Sequence, residues 1–217
     1  ADCTGHGVPG AFMSMLGVSF LNEIVRKKEI TKPAEILNHL RLSVVEALKQ
    51  TENKEETLKP KKAPEDRVKD GMDISIVAIH KDRKHAQWAG ANNPLWIVRQ
   101  SDQDKEFNDQ AEMIEFIKGD KMPVAIHVFM KDFTNHEVLL NPGDRLYLFS
   151  DGFPDQFGGA KGKKFMYKKF KRLIAETSSL SMMEQGKELE RTLTKWMDYN
   201  GKKYEQVDDV TVLGVKI

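Results

Sequence analysis

Apolar positions in this chain follow two patterns, helical spacing first and then short strand-length runs. Residues 9–25 carry Phe12, Met13, Met15, Leu16, Val18, Phe20, Leu21, Ile24 and Val25, with Pro9 at a first-turn position, and predict a helix. These side chains cover nearly the whole helix circumference, so the helix is expected to be mostly buried or docked. A second helix is predicted over 33–50 from the stripe Ile36, Leu37, Leu40, Val44 and Leu48. Residues 51–70 are rich in Lys, Glu and Pro, have no apolar period, and read as an exposed, mobile insertion. Strands are predicted over 72–80, 85–89 and 95–98 and, after a second polar insertion at 100–110, over 113–117 and 136–140. The run 145–150 is apolar on both faces, as in a strand covered on both sides, and follows the turn signal Asn141-Pro142-Gly143-Asp144. Helices return over 165–176 and from Ser181, whose spacing to Glu184 matches a capping box, to about 197. A buried strand is predicted over 210–217. Meander-like strands beside paired helices indicate an α+β fold with antiparallel sheet and helical layers.

Composition narrows the picture. The 217 residues suffice for one domain, 1–217, with a sizeable core. With 40% hydrophobic and 31% charged residues the chain is an ordinary globular mixture, not a disordered or fibrous one. A net charge of +1 gives no single-sign field, which argues against nucleic acid as a partner. The lone Cys3 excludes an internal disulfide and suits a reducing cytoplasm. No apolar run is read as approaching the roughly 20 residues that cross a bilayer, and no signal peptide is visible. The chain opens on Ala1 rather than methionine, the pattern expected of a domain from a longer protein. A sensor or membrane anchor would then lie upstream.

Three acidic motifs far apart in sequence carry the candidate chemistry. Asp2 precedes a turn with Gly5 and Gly7, Asp151 lies in Phe149-Ser150-Asp151-Gly152, and Asp208 lies in Val207-Asp208-Asp209-Val210-Thr211. Magnesium and manganese are hard ions that prefer carboxylate, carbonyl and water oxygens. Two such ions about 3.5–4 Å apart can activate a water for attack on phosphorus. That chemistry needs aspartates at strand ends with small residues beside them. Each motif alone more commonly marks a turn; their joint occurrence points to a metal-assisted phosphate hydrolase.

The ordered segments 2–11 (Asp-Cys-Thr-Gly-His-Gly-Val-Pro-Gly-Ala), 70–73 (Asp-Gly-Met-Asp), 88–95 (Trp-Ala-Gly-Ala-Asn-Asn-Pro-Leu), 150–156 (Ser-Asp-Gly-Phe-Pro-Asp-Gln) and 208–213 (Asp-Asp-Val-Thr-Val-Leu) span essentially the whole chain. Together they resemble the SpoIIE-like branch of the PPM phosphatases, the metal-dependent serine/threonine phosphatases related to protein phosphatase 2C. The resemblance implies an antiparallel β-sandwich flanked by helices (αββα). It implies hydrolysis of phosphoserine or phosphothreonine on a protein by metal-activated water, without a phosphoenzyme. Asp2 would bridge two Mn2+ or Mg2+ ions, the Cys3 backbone carbonyl would help bind one, and Asp151 and Asp208 would complete the ligands. Gly152 would keep the approach clear, Asp209 would act behind the ligands, and Asn92 and Asn93 would shape a nearby loop. The usual substrates are anti-sigma-factor antagonist proteins, and upstream sensory domains control the activity. The family normally has a further strand pair ahead of this start, with a Gly-Asp acid that also serves the metals. Without it the chain is expected to bind metal poorly or to be inactive alone. Ala125 stands where the family often has glycine.

Other readings compete at single positions. His6 is a candidate general acid, with a backbone-bonding turn residue as the alternative. A thiol-phosphatase reading of Cys3 wants an arginine where Pro9 stands. Gly5-His6-Gly7-Val8-Pro9-Gly10 fits a dinucleotide fingerprint, but the helix after it leads into another helix rather than a parallel strand. Lys161, Lys163, Lys164, Lys168, Lys169, Lys171 and Arg172 form either a solvated face or an attractor for an acidic phosphoprotein. The first helix is expected to dock an upstream domain or, in a homodimer, a second copy. A non-catalytic interaction module on the same fold is the alternative function.

Overall fold

A computed structural model describes residues 1–5, 7–48, 70–102, 109–128 and 130–217. His6, most of the 51–70 insertion and most of the 100–110 insertion lie outside the described residues. The described chain forms two compact units.

The first unit comprises the described parts of 1–79, 86–92 and 119–138. Its sheet has the order β1-β2-β3-β6, from β1 (Asp2–Cys3), β2 (Met72–Ile79), β3 (His85–Ala91) and β6 (His136–Leu139). Asp2 faces Asp73 and Cys3 faces Met72 across the antiparallel β1–β2 pair. Thr4 secures that register, because its amide donates to the Gly71 carbonyl at 3.0 Å and its hydroxyl accepts the Gly71 amide at 2.9 Å. Gly71 admits no side chain: a Cβ there would lie 2.4 Å from the Ala125 Cβ and 2.7 Å from the Val124 carbonyl oxygen.

Helix α2 (Pro33–Ala47) begins with Pro33 in its first turn, where no intrahelical donor is lost. The predicted stripe Ile36, Leu37, Leu40 and Val44 is buried, packed with Met13, Ile24, Met72, Ile74, Ala89, Ala91, Met122, Val124 and Phe133. Helix α1 (Gly7–Asn22) runs on as a π-helical turn through Glu23–Lys27. It corrects two expectations. Only Gly10, Met13 and Gly17 of α1 are buried, while Val8 is 82% and Met15 72% exposed. Sequence periodicity states which side chains favour burial, not whether a surface exists to cover them. The 21-residue run Gly7–Lys27 is also long and apolar enough to cross a membrane by length and composition. Met13 and Ile24 of this run dock in the core, while most of its side chains stay exposed.

The second unit comprises 80–85, the described parts of 93–118, and 139–217. Its sheet has the order β12-β7-β4-β5, from β4 (Leu95–Val98), β5 (Ile114–Ile117), β7 (Arg145–Phe149) and β12 (Val212–Lys216). β7 is buried at every residue, as its continuous apolar run requires. β12 is not the buried strand expected: among the described residues it pairs only with β7, at the sheet edge, and Leu213 is 54% exposed. A short helix α3 (Gly152–Asp155) and the small hairpins β8–β9 (Phe157–Gly158, Lys163–Lys164) and β10–β11 (Asp198–Tyr199, Lys202–Lys203) complete the strands' connections. Helix α4 (Tyr167–Glu176) buries Phe170, Ile174 and Ala175. Helix α5 (Met182–Met197) has the predicted capping box, Ser181 accepting from the Glu184 amide and Glu184 from that of Ser181. Trp96, Phe149, Phe153, Phe165, Phe170 and Leu189 form its core.

Candidate metal centre

Asp151 is the second residue after β7, separated from Phe149 by Ser150 alone, so a fully buried strand fixes where it emerges. Its Oδ1 is buried and has no hydrogen-bond partner among the described residues. A carboxylate oxygen that gives up water without a donor is costly, and a cation is the partner that removes the cost. Asp208 lies in the bend before β12, and its carboxylate oxygen lies within 4.8 Å of that of Asp151. The Asp208 Oδ1 accepts the Asp209 amide at 2.8 Å, and the Gln206 side-chain amide donates to the Asp208 carbonyl at 2.8 Å. Gly152 keeps the two segments close, since a Cβ there would sit 2.5 Å from the Asp209 carbonyl oxygen. An orphaned buried oxygen, a second carboxylate beside it and a glycine-floored approach fit a hard divalent cation.

Ser150, before Asp151, donates its hydroxyl to the Asp209 carbonyl at 2.9 Å and accepts the Thr211 amide at 3.1 Å. Its own amide donates to the Thr211 carbonyl at 3.0 Å. Both capacities of this hydroxyl are thus engaged in structure. Sequence reading gave Ser150 no role of its own.

Asp2 and Cys3 belong to the first unit, on β1 opposite Asp73 and Met72. Asn92, in the same unit, donates its side-chain amide to Asp73 Oδ1 at 2.8 Å. Its φ of 58° is a left-handed conformation that asparagine tolerates. The Asn92 amide donates to the Asp120 carbonyl at 2.9 Å. Burial raises the pKa of the Asp120 carboxyl, but hydrogen bonds from Thr134 and Lys131 outweigh that and hold it below the ordinary carboxylate value. Asn93 is buried and belongs to the second unit.

Most of the basic cluster already has partners. Lys164 pairs with Asp155 at 2.7 Å, and Lys168 and Arg172 pair with Asp109 at 3.3 and 3.6 Å. Lys169 lies 4.1 Å from the Trp196 ring centre and Lys171 lies 4.7 Å from that of Phe116. Charge periodicity alone could not reveal these pairings.

The family model described as Stage II sporulation protein E (SpoIIE) matches residues 1–217. The chain belongs to the SpoIIE family. It is a PPM-type serine/threonine phosphatase domain of the bacterial signalling kind. Among solved structures, the SiaA-PP2C domain of Pseudomonas aeruginosa is 26% identical, with a TM-score of 0.77 over 99% of this chain and 73% of that one. The PP2C phosphatase domain with a fragment of the regulatory domain of SpoIIE from Bacillus subtilis is 18% identical, with a TM-score of 0.58 over 98% of this chain and 52% of that one. The Mycobacterium tuberculosis serine/threonine phosphatase PstP/Ppp is 14% identical, with a TM-score of 0.55 over 100% and 86%. Comparison with curated proteins gives no match. This member of the family thus has the mixed α+β fold of PP2C phosphatases, with antiparallel sheets and helices, as its motifs implied. PPM phosphatases are metal-dependent.

Proposed function

We propose that this domain hydrolyses phosphoserine or phosphothreonine on a protein. Asp2, Asp151 and Asp208, with the Cys3 carbonyl, hold two manganese or magnesium ions in this reading. The observation that carries it is the buried Asp151 oxygen without a hydrogen-bond partner, next to the Asp208 carboxylate. When bound, such ions polarise phosphoryl oxygens and acidify water. The chain's own part is to present fixed negative oxygens with the backbone drawn close at Gly152. Asp209 supports Asp208 through its amide, and Asn92 and Asn93 shape the loop beside the site. Ser150 is unsuited to carry the phosphoryl group, because its hydroxyl is already spent on Asp209 and Thr211. Direct hydrolysis needs no such carrier.

The substrate in this reading is a phosphorylated protein of the anti-sigma-factor antagonist class, and the setting is cytoplasmic. An upstream sensory domain controls the activity. The outward apolar residues of α1, Val8, Phe12, Met15 and Val18, are where that domain or a second copy docks.

The test is hydrolysis of an aryl phosphate and of a phosphoserine peptide by the full-length natural protein, with manganese and with a chelator. Turnover should require manganese and stop on chelation. Turnover that survives chelation would overturn the metal reading, and none under any condition would favour a non-catalytic interaction module.

A further inference from the structure

Gln156 is completely buried at the C-terminal end of α3, five residues after Asp151. A buried primary amide is costly unless its donors and acceptor are met. Here they are met by the segment leading to Asp208 and by the neighbouring Phe157 carbonyl. Its Nε2 donates to the Glu205 carbonyl at 2.8 Å and to the Phe157 carbonyl at 3.0 Å, and its Oε1 accepts the Val207 amide at 3.3 Å. Its backbone is equally fixed: the Gln156 carbonyl accepts the Phe165 amide at 2.9 Å and the Trp196 indole N–H at 3.0 Å.

Ser150 makes the matching connection on the other side of Asp151, to Asp209 and Thr211. Residues 205–211 are therefore tied down both before and after Asp208. Both ties originate from the segment that carries Asp151. Two carboxylates held this close repel each other in the absence of a cation. Only a scaffold independent of the cation can keep them gathered, and binding is tighter when that arrangement exists beforehand.

We propose that Gln156 is a positioning residue that sets Asp208 against Asp151 for divalent-cation binding. This rests on the reading of these acids as metal ligands. Gln156 touches neither cation nor substrate; it acts through the 205–207 backbone.

The test is manganese binding by this protein, counted from the electron paramagnetic resonance signal of free Mn2+. Gln156→Met fills the same space and removes all the side-chain hydrogen bonds, whereas Gln156→Glu keeps the acceptor for Val207. The manganese Kd should rise about 10–100-fold in Gln156→Met, the range found for groups that orient metal ligands, and less in Gln156→Glu. The bound stoichiometry should recover at high manganese. A merely structural role would lower the melting temperature but leave the Kd of the folded fraction where it was. A Kd within twofold of wild type in a folded Gln156→Met protein overturns the proposal while the metal site stands. If wild type itself binds no manganese, the site reading fails and this inference falls with it. Should Gln156→Met not fold, Val207→Pro removes the facing donor at an exposed position, and the same Kd criterion applies.

Discussion

Asp151→Asn and Asp208→Asn are each expected to lower phosphatase activity by more than about 100-fold, the upper end of what outer partners of a metal site cost. Asparagine keeps the shape but surrenders the charge that a hard cation selects. Stability should move differently from activity. The buried Asp151 oxygen makes no hydrogen bond, so the fold loses none there, and repulsion from Asp208 is relieved. The melting temperature of Asp151→Asn should therefore equal or exceed that of wild type without metal, as is common where a site is arranged for function at the expense of stability. Addition of manganese should raise the wild-type melting temperature and leave the variant unmoved. Near-normal turnover by either purified variant would remove that residue from the ligand set.

The second large effect concerns the core that supports the Asp151 turn. Phe170→Ala should destabilise the protein by about 3–5 kcal/mol. Phe170 is fully buried, stacked on Phe153 at 4.6 Å and close to Phe149 and Trp96 at 5.2 and 5.3 Å. Phe153 is the neighbour of Gly152, and Phe149 ends the strand that delivers Asp151. The vacated space cannot close without moving rings that already pack on one another. A thermal melt should show a fall of roughly 10 °C or more. Tyr167→Ala, one turn earlier on the same helix, serves as contrast. Tyr167 is 42% exposed and its ring lies 6.4 Å from those of Trp96 and Phe149, so its loss vacates less buried space and should cost about 1 kcal/mol. Equal effects from the two substitutions would mean that the aromatic cluster is not the support of this unit.

The parts of the fold legible in the sequence are those governed by local rules. The α2 stripe, the Ser181 capping box and the doubly buried run of β7 each follow from a few neighbouring residues. The parts misread depend on what lies across from a residue. β12 has the same apolar composition as a central strand, yet it pairs on one side only. The apolar circumference of α1 gave no sign that Met15 and Val18 would face outward. The hairpins β8–β9 and β10–β11 are too short to carry a period. At the candidate site, the approach of the Asp151 and Asp208 segments was legible because glycine at 152 betrays close backbone contact. Ser150 and Gln156 were not, because a polar side chain in a motif reads as exposed until its partners, some 50 to 60 residues away, are known.

In the proposed function Asp2, Asp151 and Asp208 gather around divalent cations. Anomalous diffraction from crystals of the protein soaked in manganese tests this most directly. Manganese peaks within about 2.5 Å of carboxylate oxygens of all three residues are the predicted result. Fully soaked crystals with no peak at these carboxylates, or with manganese bound only elsewhere, would contradict it.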